Sequence, residues 1–171
     1  MTRDANATVQ HEPSPDQWRD WLRENGGRFL LYARQQTRSE GDAEDVLQDA
    51  LVESWQRAGG MPDDALVFAT IRRRAIDLAR STDRRAVREE SAEPEQPFFT
   101  PDVEERDTQR LLEQAVNALP PNYREVVSLK MWGGLTFQQI AEVTKVPLNT
   151  AASRYRYALE ELRENLKGVF Q

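Results

Sequence analysis

Four carboxylates, Asp42, Asp45, Asp49 and Glu53, recur at three- and four-residue spacing, so a helix would carry them along one side. Like charges at that spacing repel and cost stability. A helix dipole favours Asp42 and Glu44 near an amino end, but it does not reach Asp49 and Glu53. An acidic ridge kept along a whole helix suits a basic protein partner. Metal chelation is the other chemistry open to such carboxylates, but the glycine and the loop spacing of a calcium site are missing. Residues 71–88 reverse the sign, with seven arginines (72, 73, 74, 80, 84, 85 and 88) against Asp77 and Asp83. A ladder within one helix, Arg73 to Asp77 to Arg80, leaves Arg72, Arg74, Arg84 and Arg85 without a partner on their own element. Cations in that number on an acidic protein favour a polyanion. Single-strand binding would add stacking aromatics; Phe68 stands near the start of this face, but its periodicity assigns it to the core.

A third candidate lies near the carboxyl end. Thr136-Phe-Gln-Gln139 has the form of a capping box, flanked by Leu135 and Ile140 as a hydrophobic staple. A short helix from Thr136 to about Thr144, a tight connection Lys145-Val-Pro147 and a long helix from about Leu148 to Lys167 make a helix-turn-helix pattern. With the apolar stripe of the long helix centred on Tyr155, Leu148, Ala151, Leu159 and Leu162 fall within roughly 40° of it. The opposite face then carries Ser153 and Tyr157 at its middle, Asn149 and Thr150 beside them, and Arg154 and Arg156 on the flanks. Short hydrogen-bonding side chains facing base edges, with cations reaching phosphates on either side, suit a major groove. An amphipathic helix of an ordinary bundle would show a similar polar face.

These features must sit on helices, because apolar residues recur at three- and four-residue spacing almost everywhere and strand patterns are nearly absent. Ser14-Pro15 starts a first helix carrying Trp18, Trp21 and Leu22; Gly26-Gly27 is expected to interrupt it before Phe29 to Thr37 continues. The acidic run Asp42–Trp55 buries Ala43, Val46, Leu47, Ala50, Leu51 and Trp55, and Gly59-Gly60-Met61-Pro62 ends it. Phe68, Ile71, Ala75, Leu78 and Ala79 form the next stripe, which ends near Asp83. Residues 86–101 hold Pro94, Pro97 and Pro101 and few apolar positions, too little to offset the entropy of ordering; Phe98-Phe99 is the exception, a pair expected to dock. A further helix with Leu111, Leu112, Ala115, Val116 and Leu119 stops before Pro120-Pro121, and another runs to Trp132, where Gly133-Gly134 suits a left-handed cap.

The 171 residues have a net charge of −6, with 30% charged and 39% hydrophobic residues, enough for small helical cores but not one large core. The absence of cysteine removes disulfides, thiolate zinc sites and cysteine nucleophiles, and the single histidine, His11, leaves no Ser-His-Asp triad. Neither Gly-Gly pair has the setting of a nucleotide-binding loop. No catalytic residue, metal site or cofactor is therefore expected. No apolar run approaches a membrane span, and the leader MTRDANATVQHEPS lacks the apolar stretch of a signal peptide, so a soluble cytoplasmic protein is expected.

Three segments in order carry a family resemblance. Asp42-Ala-Glu-Asp-Val-Leu-Gln-Asp-Ala-Leu-Val-Glu-Ser-Trp55 resembles the core-polymerase-binding helix of bacterial sigma factors. Arg74-Ala-Ile-Asp-Leu-Ala-Arg80 resembles their promoter-melting, −10-reading helix. Leu119-Pro-Pro-Asn-Tyr-Arg-Glu-Val-Val127, Gly134-Leu-Thr-Phe-Gln-Gln-Ile-Ala141 and Asn149-Thr-Ala-Ala-Ser-Arg154 resemble the −35-reading domain. Two domains with only a linker between them are similar to the extracytoplasmic-function (ECF) group, and the resemblance covers roughly residues 20–165.

The resemblance implies an all-α fold with a disordered leader (1–13), a polymerase-binding and −10 domain (14–85), an acidic flexible linker (86–101) and a helix-turn-helix −35 domain (102–171). It implies binding of the polymerase largest-subunit clamp coiled coil by Asp45, Gln48 and Asp49, with Asp42 and Glu53 on the same ridge, and a second contact to the polymerase flap. It implies −10 contacts by Arg57, Arg72, Arg73, Arg74, Asp77 and Arg80, a flipped base in the 57–62 loop, and a linker whose acids imitate a transcript near the RNA exit path. It implies −35 contacts by Asn149, Thr150, Ser153, Arg154, Arg156 and Tyr157, and sequestration by an anti-sigma protein. Family members usually carry Asn at the position of Arg73 and basic residues at those of Ala152 and Tyr157, and Pro147 replaces their common serine cap. The alternative is a helix-turn-helix regulator that binds DNA without joining polymerase. It needs neither the acidic ridge nor the arginine helix.

Overall fold

The computed structural model describes residues 12–86 and 105–168. Seven helices make up the secondary structure of these residues: α1 (Pro15–Gln36), α2 (Glu40–Ala58), α3 (Asp64–Ala86), α4 (Glu105–Asn117), α5 (Pro121–Met131), α6 (Phe137–Thr144) and α7 (Leu148–Lys167). Among them, none is long and apolar enough to cross a membrane. The expected leader up to His11, most of the expected linker, and Phe98-Phe99 lie outside the described residues.

Local chemistry accounts for several helix ends. Ser14 caps α1: its Oγ accepts from the Gln17 N–H at 3.2 Å, while Gln17 Oε1 accepts from the Ser14 N–H at 2.8 Å. Ser39 caps α2 through the Asp42 N–H at 3.1 Å, and Gly59, at φ 66°, closes it by donating to the Trp55 carbonyl at 2.9 Å. Gly26-Gly27 does not interrupt α1, contrary to the expectation above; the helix runs through both glycines. Each costs about 1 kcal/mol in a helix, whereas Phe29, Tyr32 and Ala33 just beyond are fully buried and a large buried side chain stabilises by about 1.5–3 kcal/mol.

In the first half, α1, α2 and α3 pack on one another around Phe29, Tyr32, Val46, Phe68 and Ile71. The Phe68 ring receives Phe29 and Tyr32 edge-on at centroid distances of 5.0 and 5.2 Å, so Phe68 is core, as its periodicity implies. In the second half, α7 packs on α4, α5 and α6, and Ala115, Val116, Leu119, Val127, Ala158 and Leu162 form a core of their own. The halves also meet. α3 packs on α6, α1 touches α5, and one continuous apolar cluster joins Phe29 and Phe68 to Val126, Leu129, Leu135, Ile140 and Val143.

Candidate polymerase-binding and nucleic-acid interfaces

Burial of Ala43, Val46 and Ala50 fixes the rotation of α2, and this leaves Asp45, Gln48, Asp49 and Val52 exposed in a strip along the outside. Asp42 is half-buried at the edge of that strip. Glu53 faces the other way, toward α3. It accepts from Arg73 and, at 2.8 Å, from Arg74 Nε, and Arg57 stands 3.8 Å from it on the same helix. Arg74 also reaches Asp49 at 3.4 Å. The guanidinium groups of Arg73 and Arg74, hydrogen-bonded to Glu53, hold its carboxyl below the ordinary value of 4.5 against the opposing effect of burial. A depressed carboxyl pKa contributes stability that is present above the unfolded value and lost as pH falls through the folded one. Glu53→Gln is therefore expected to be less stable than the parent at pH 7. The parent should converge on the variant as pH drops below about 4.5, where an unfolded glutamate protonates; urea unfolding at several pH values would show it, and parallel pH profiles would refute it.

The arginine helix differs from its sequence-based reading. Arg73 does stand 3.8 Å from Asp77, but Asp77 makes no ion pair with Arg80. Arg72 and Arg74, unpartnered on their own helix, find carboxylates on other elements: Arg74 on α2, and Arg72 on Glu125 of α5 at 2.8 Å. Among the described residues Arg80 and Arg84 are exposed and form no ion pair, and Arg38 pairs with Asp83 at 2.9 Å. Of the expected 57–62 loop, the exposed Arg57 lies in the last turn of α2, and the non-helical stretch begins at Gly59 and includes buried Pro62. It is anchored by Trp55, whose ring meets that of Trp18 at 4.2 Å.

The helix-turn-helix is built as the sequence indicates. Thr136 Oγ1 accepts from the Gln139 N–H at 3.1 Å, and Gln139 Oε1 from the Thr136 N–H at 2.9 Å. In the turn Lys145 takes φ 56°, a left-handed conformation that usually falls to glycine, and the Val146 N–H donates to the Ala141 carbonyl at 3.1 Å. In the expected left-handed cap Gly133-Gly134, Gly134 takes φ 65°, whereas Gly133 is needed for space, because a Cβ there would run into the Leu129 carbonyl. α7 differs in rotation. Its buried residues are Ala151, Ala158 and Leu162, with Tyr155 partly covered and edge-on to Phe137 at 5.4 Å. Leu148 and Leu159, assigned above to the buried stripe, are 45% and 36% exposed. The buried stripe is thus turned by about 30° from the one drawn on Tyr155, at 100° per residue. The shift brings Asn149, Ser153 and Arg156 to the middle of the outer face and moves Arg154 toward its edge; Asn149 and Arg156 are exposed and Thr150, Ser153 and Arg154 half-buried. Tyr157, 44% exposed, is held between neighbours. Its ring stacks on Tyr123 of α5 at 6.5 Å, and Arg156 lies over it at 5.0 Å and donates to its hydroxyl at 3.3 Å.

Residues 109–162 match the family model for sigma-70, region 4. The chain is 32% identical to the ECF RNA polymerase sigma factor SigL of Mycobacterium tuberculosis, over 84% of this chain and 85% of that one. This chain belongs to the ECF RNA polymerase sigma factors. It is likewise 32% identical to the ECF sigma factor RpoE of Cereibacter sphaeroides over 72% of each chain, and 29% identical to the RNA polymerase sigma-E factor of Streptomyces avermitilis over 88% of this chain and 86% of that one. Among solved structures, the fold of this ECF sigma factor is similar to that of the sigma factor RpoE from Bartonella quintana, solved with the anti-sigma factor NepR. The TM-score is 0.66 at 21% identity, over 88% of this chain and 96% of that one. It is also similar to CnrH, solved with the cytosolic domain of CnrY, with a TM-score of 0.60 at 19% identity over 91% and 90%.

Sequence reasoning missed the polar groups at the junction of the halves of this sigma factor. Arg28 Nη1 donates to the Gly133 carbonyl at 2.6 Å, its Nη2 pairs with Asp64, and its guanidinium lies 5.1 and 5.8 Å from the Phe29 and Phe68 rings. Glu125 accepts from the Tyr32 hydroxyl at 2.7 Å and from Arg72. Burial, with the negative charge of Glu125 beside it, pushes the Tyr32 hydroxyl well above the ordinary tyrosine range. The one sequence-level signal was a carboxylate at position 125 beside Val126 and Val127.

Proposed function

We propose that this ECF sigma factor joins core RNA polymerase through the exposed strip of α2 and directs initiation at promoters read by α3 and α7. The carrying observation is the separation of these surfaces on one chain: Asp45, Gln48 and Asp49 point outward from α2, while the outer face of α7 lies in the other half. Asp42 borders the polymerase contact. Glu53 holds α3 against α2 and positions the ridge from behind. In the −10 step Arg57, Arg80 and, once released from their carboxylates, Arg72, Arg73 and Arg74 grip the strand, with Asp77 orienting Arg73 and the 57–62 loop receiving a flipped base. In the −35 groove Asn149, Ser153 and Arg156 read base edges, with Tyr157 beside them, while Thr150 and Arg154 hold the backbone. Residues 14–85 and 102–171 act as the two promoter-binding units with 86–101 as connector. The anti-sigma complex of the similar Bartonella quintana RpoE structure supports an anti-sigma partner here as well, and the protein works in the cytoplasm, where polymerase is.

The test is reconstitution. Core RNA polymerase with the purified chain is expected to start transcripts at discrete sites on genomic fragments, the upstream sequences sharing two spaced elements. Duplex binding by the chain together with no transcript from the mixed enzyme would favour a regulator that acts without polymerase.

A further inference from the structure

The junction between the halves is more than apolar contact. Glu125 is 9% exposed, its carboxylate is satisfied by a tyrosine 93 residues away and an arginine 53 residues away, and Arg72 is left with 23% of its side chain accessible. Val126, Leu129, Ile140 and Val143 surround the cluster on the second half, and Phe29, Phe68 and Ile71 on the first. A buried carboxylate tolerates only an arrangement that supplies its donors, so the cluster sets one register for the closed seam. The same groups are well solvated by water once apart. A seam built on them therefore opens more readily than one filled with apolar side chains.

We propose that Tyr32, Arg72 and Glu125 form a latch that keeps the free sigma factor closed and withholds Arg72 from nucleic acid. The latch rests on the geometry of the seam alone; the role of Arg72 after release rests on the −10 reading above. One guanidinium cannot be given to Glu125 and to a DNA phosphate at once, so closure and strand binding compete. The seam is selective in what it covers. Asp45, Gln48 and Asp49 remain exposed, and α7, packed on α4, α5 and α6, keeps Asn149, Arg156 and Tyr157 exposed. The closed chain thus presents its polymerase strip, its −35 face and the exposed Arg80 and Arg84 of α3, while Arg72 is held back in the seam, and opening supplies that cation.

The chain has no cysteine, so Glu44→Cys with Glu160→Cys, both exposed positions on opposite halves, gives a unique dye pair for single-molecule distance measurement on the full chain. Glu125→Gln keeps the volume and removes the charge; it is expected to raise the ratio of open to closed molecules by about tenfold, and Tyr32→Phe, which keeps the ring on Phe68, by about threefold. Affinity for a fluorescent oligothymidine strand should rise with the open fraction in Glu125→Gln, and Arg72→Ala added to that variant should remove the gain. Dye distances unchanged in both Glu125→Gln and Tyr32→Phe would overturn the latch. Opening with no gain in strand affinity would overturn the withholding of Arg72. The distance measurement uses neither polymerase nor promoter, so its outcome is independent of the functional reading. If Glu125→Gln does not melt cooperatively, Tyr32→Phe carries the test.

Discussion

Asp45→Arg combined with Asp49→Arg is expected to abolish binding to core RNA polymerase. Both side chains stand on the outer strip of α2, away from buried Ala43, Val46 and Ala50. Their replacement leaves the core untouched and turns attraction into repulsion across a charged interface. The two positions differ in one respect. Asp49 also stands 3.4 Å from Arg74, with 64% of its side chain exposed, and an exposed ion pair contributes only about 0–1 kcal/mol. Arginine at 49 nevertheless faces Arg74, so Asp45→Arg alone is the cleaner variant and should by itself weaken binding by tenfold or more, about 1.4 kcal/mol. Asp49→Ala serves as the control for the loss of the Arg74 contact. A pull-down with unchanged helicity by circular dichroism is the measurement. Retention of polymerase by the double variant would sink the assignment of α2.

The second large effect is expected on α7, and the rotation seen in the structure decides its form. Arg154 sits at the edge of the outer face, half-buried, and makes no hydrogen bond among the described residues, so a phosphate contact is expected of it. Arg154→Ala should weaken binding to all −35 sequences alike and lower the slope of log affinity against log salt by about one unit. Ser153 and Asn149 lie at the middle of the face, and changing either to alanine should alter which sequence is preferred, by roughly 1–3 kcal/mol per position, with little change in slope. Arg156 is tied to Tyr157, over its ring and at its hydroxyl, so Tyr157→Ala frees Arg156 as well as removing a ring. That variant should change both preference and slope. Titration of each variant against a panel of −35 duplexes at several salt concentrations separates these outcomes. A change of preference in Arg154→Ala without one in Ser153→Ala would mean that α7 enters the groove with a different face.

The sequence by itself determined the helices, several of their ends and the family. Three- and four-residue spacing, the helix start at Ser14-Pro15, the capping box at Thr136, the break at Gly59-Gly60 and the left-handed cap at Gly133-Gly134 act within a few residues of themselves, so they are legible without the rest of the chain. Only the tertiary structure decided how the charges are shared. Glu53 was one of four acids on a ridge until α3 came beside it; Arg72 was a cation without a partner until α5 brought Glu125 to 2.8 Å. The passage of α1 through Gly26-Gly27 and the turn of α7 that exposes Leu148 and Leu159 were set in the same way, by what the neighbouring helices cover. The common reason is range. Helix periodicity and capping are settled by backbone geometry over one or two turns, whereas the partner of a charge and the buried side of a helix depend on elements that lie tens of residues away in the chain and meet only in the folded molecule.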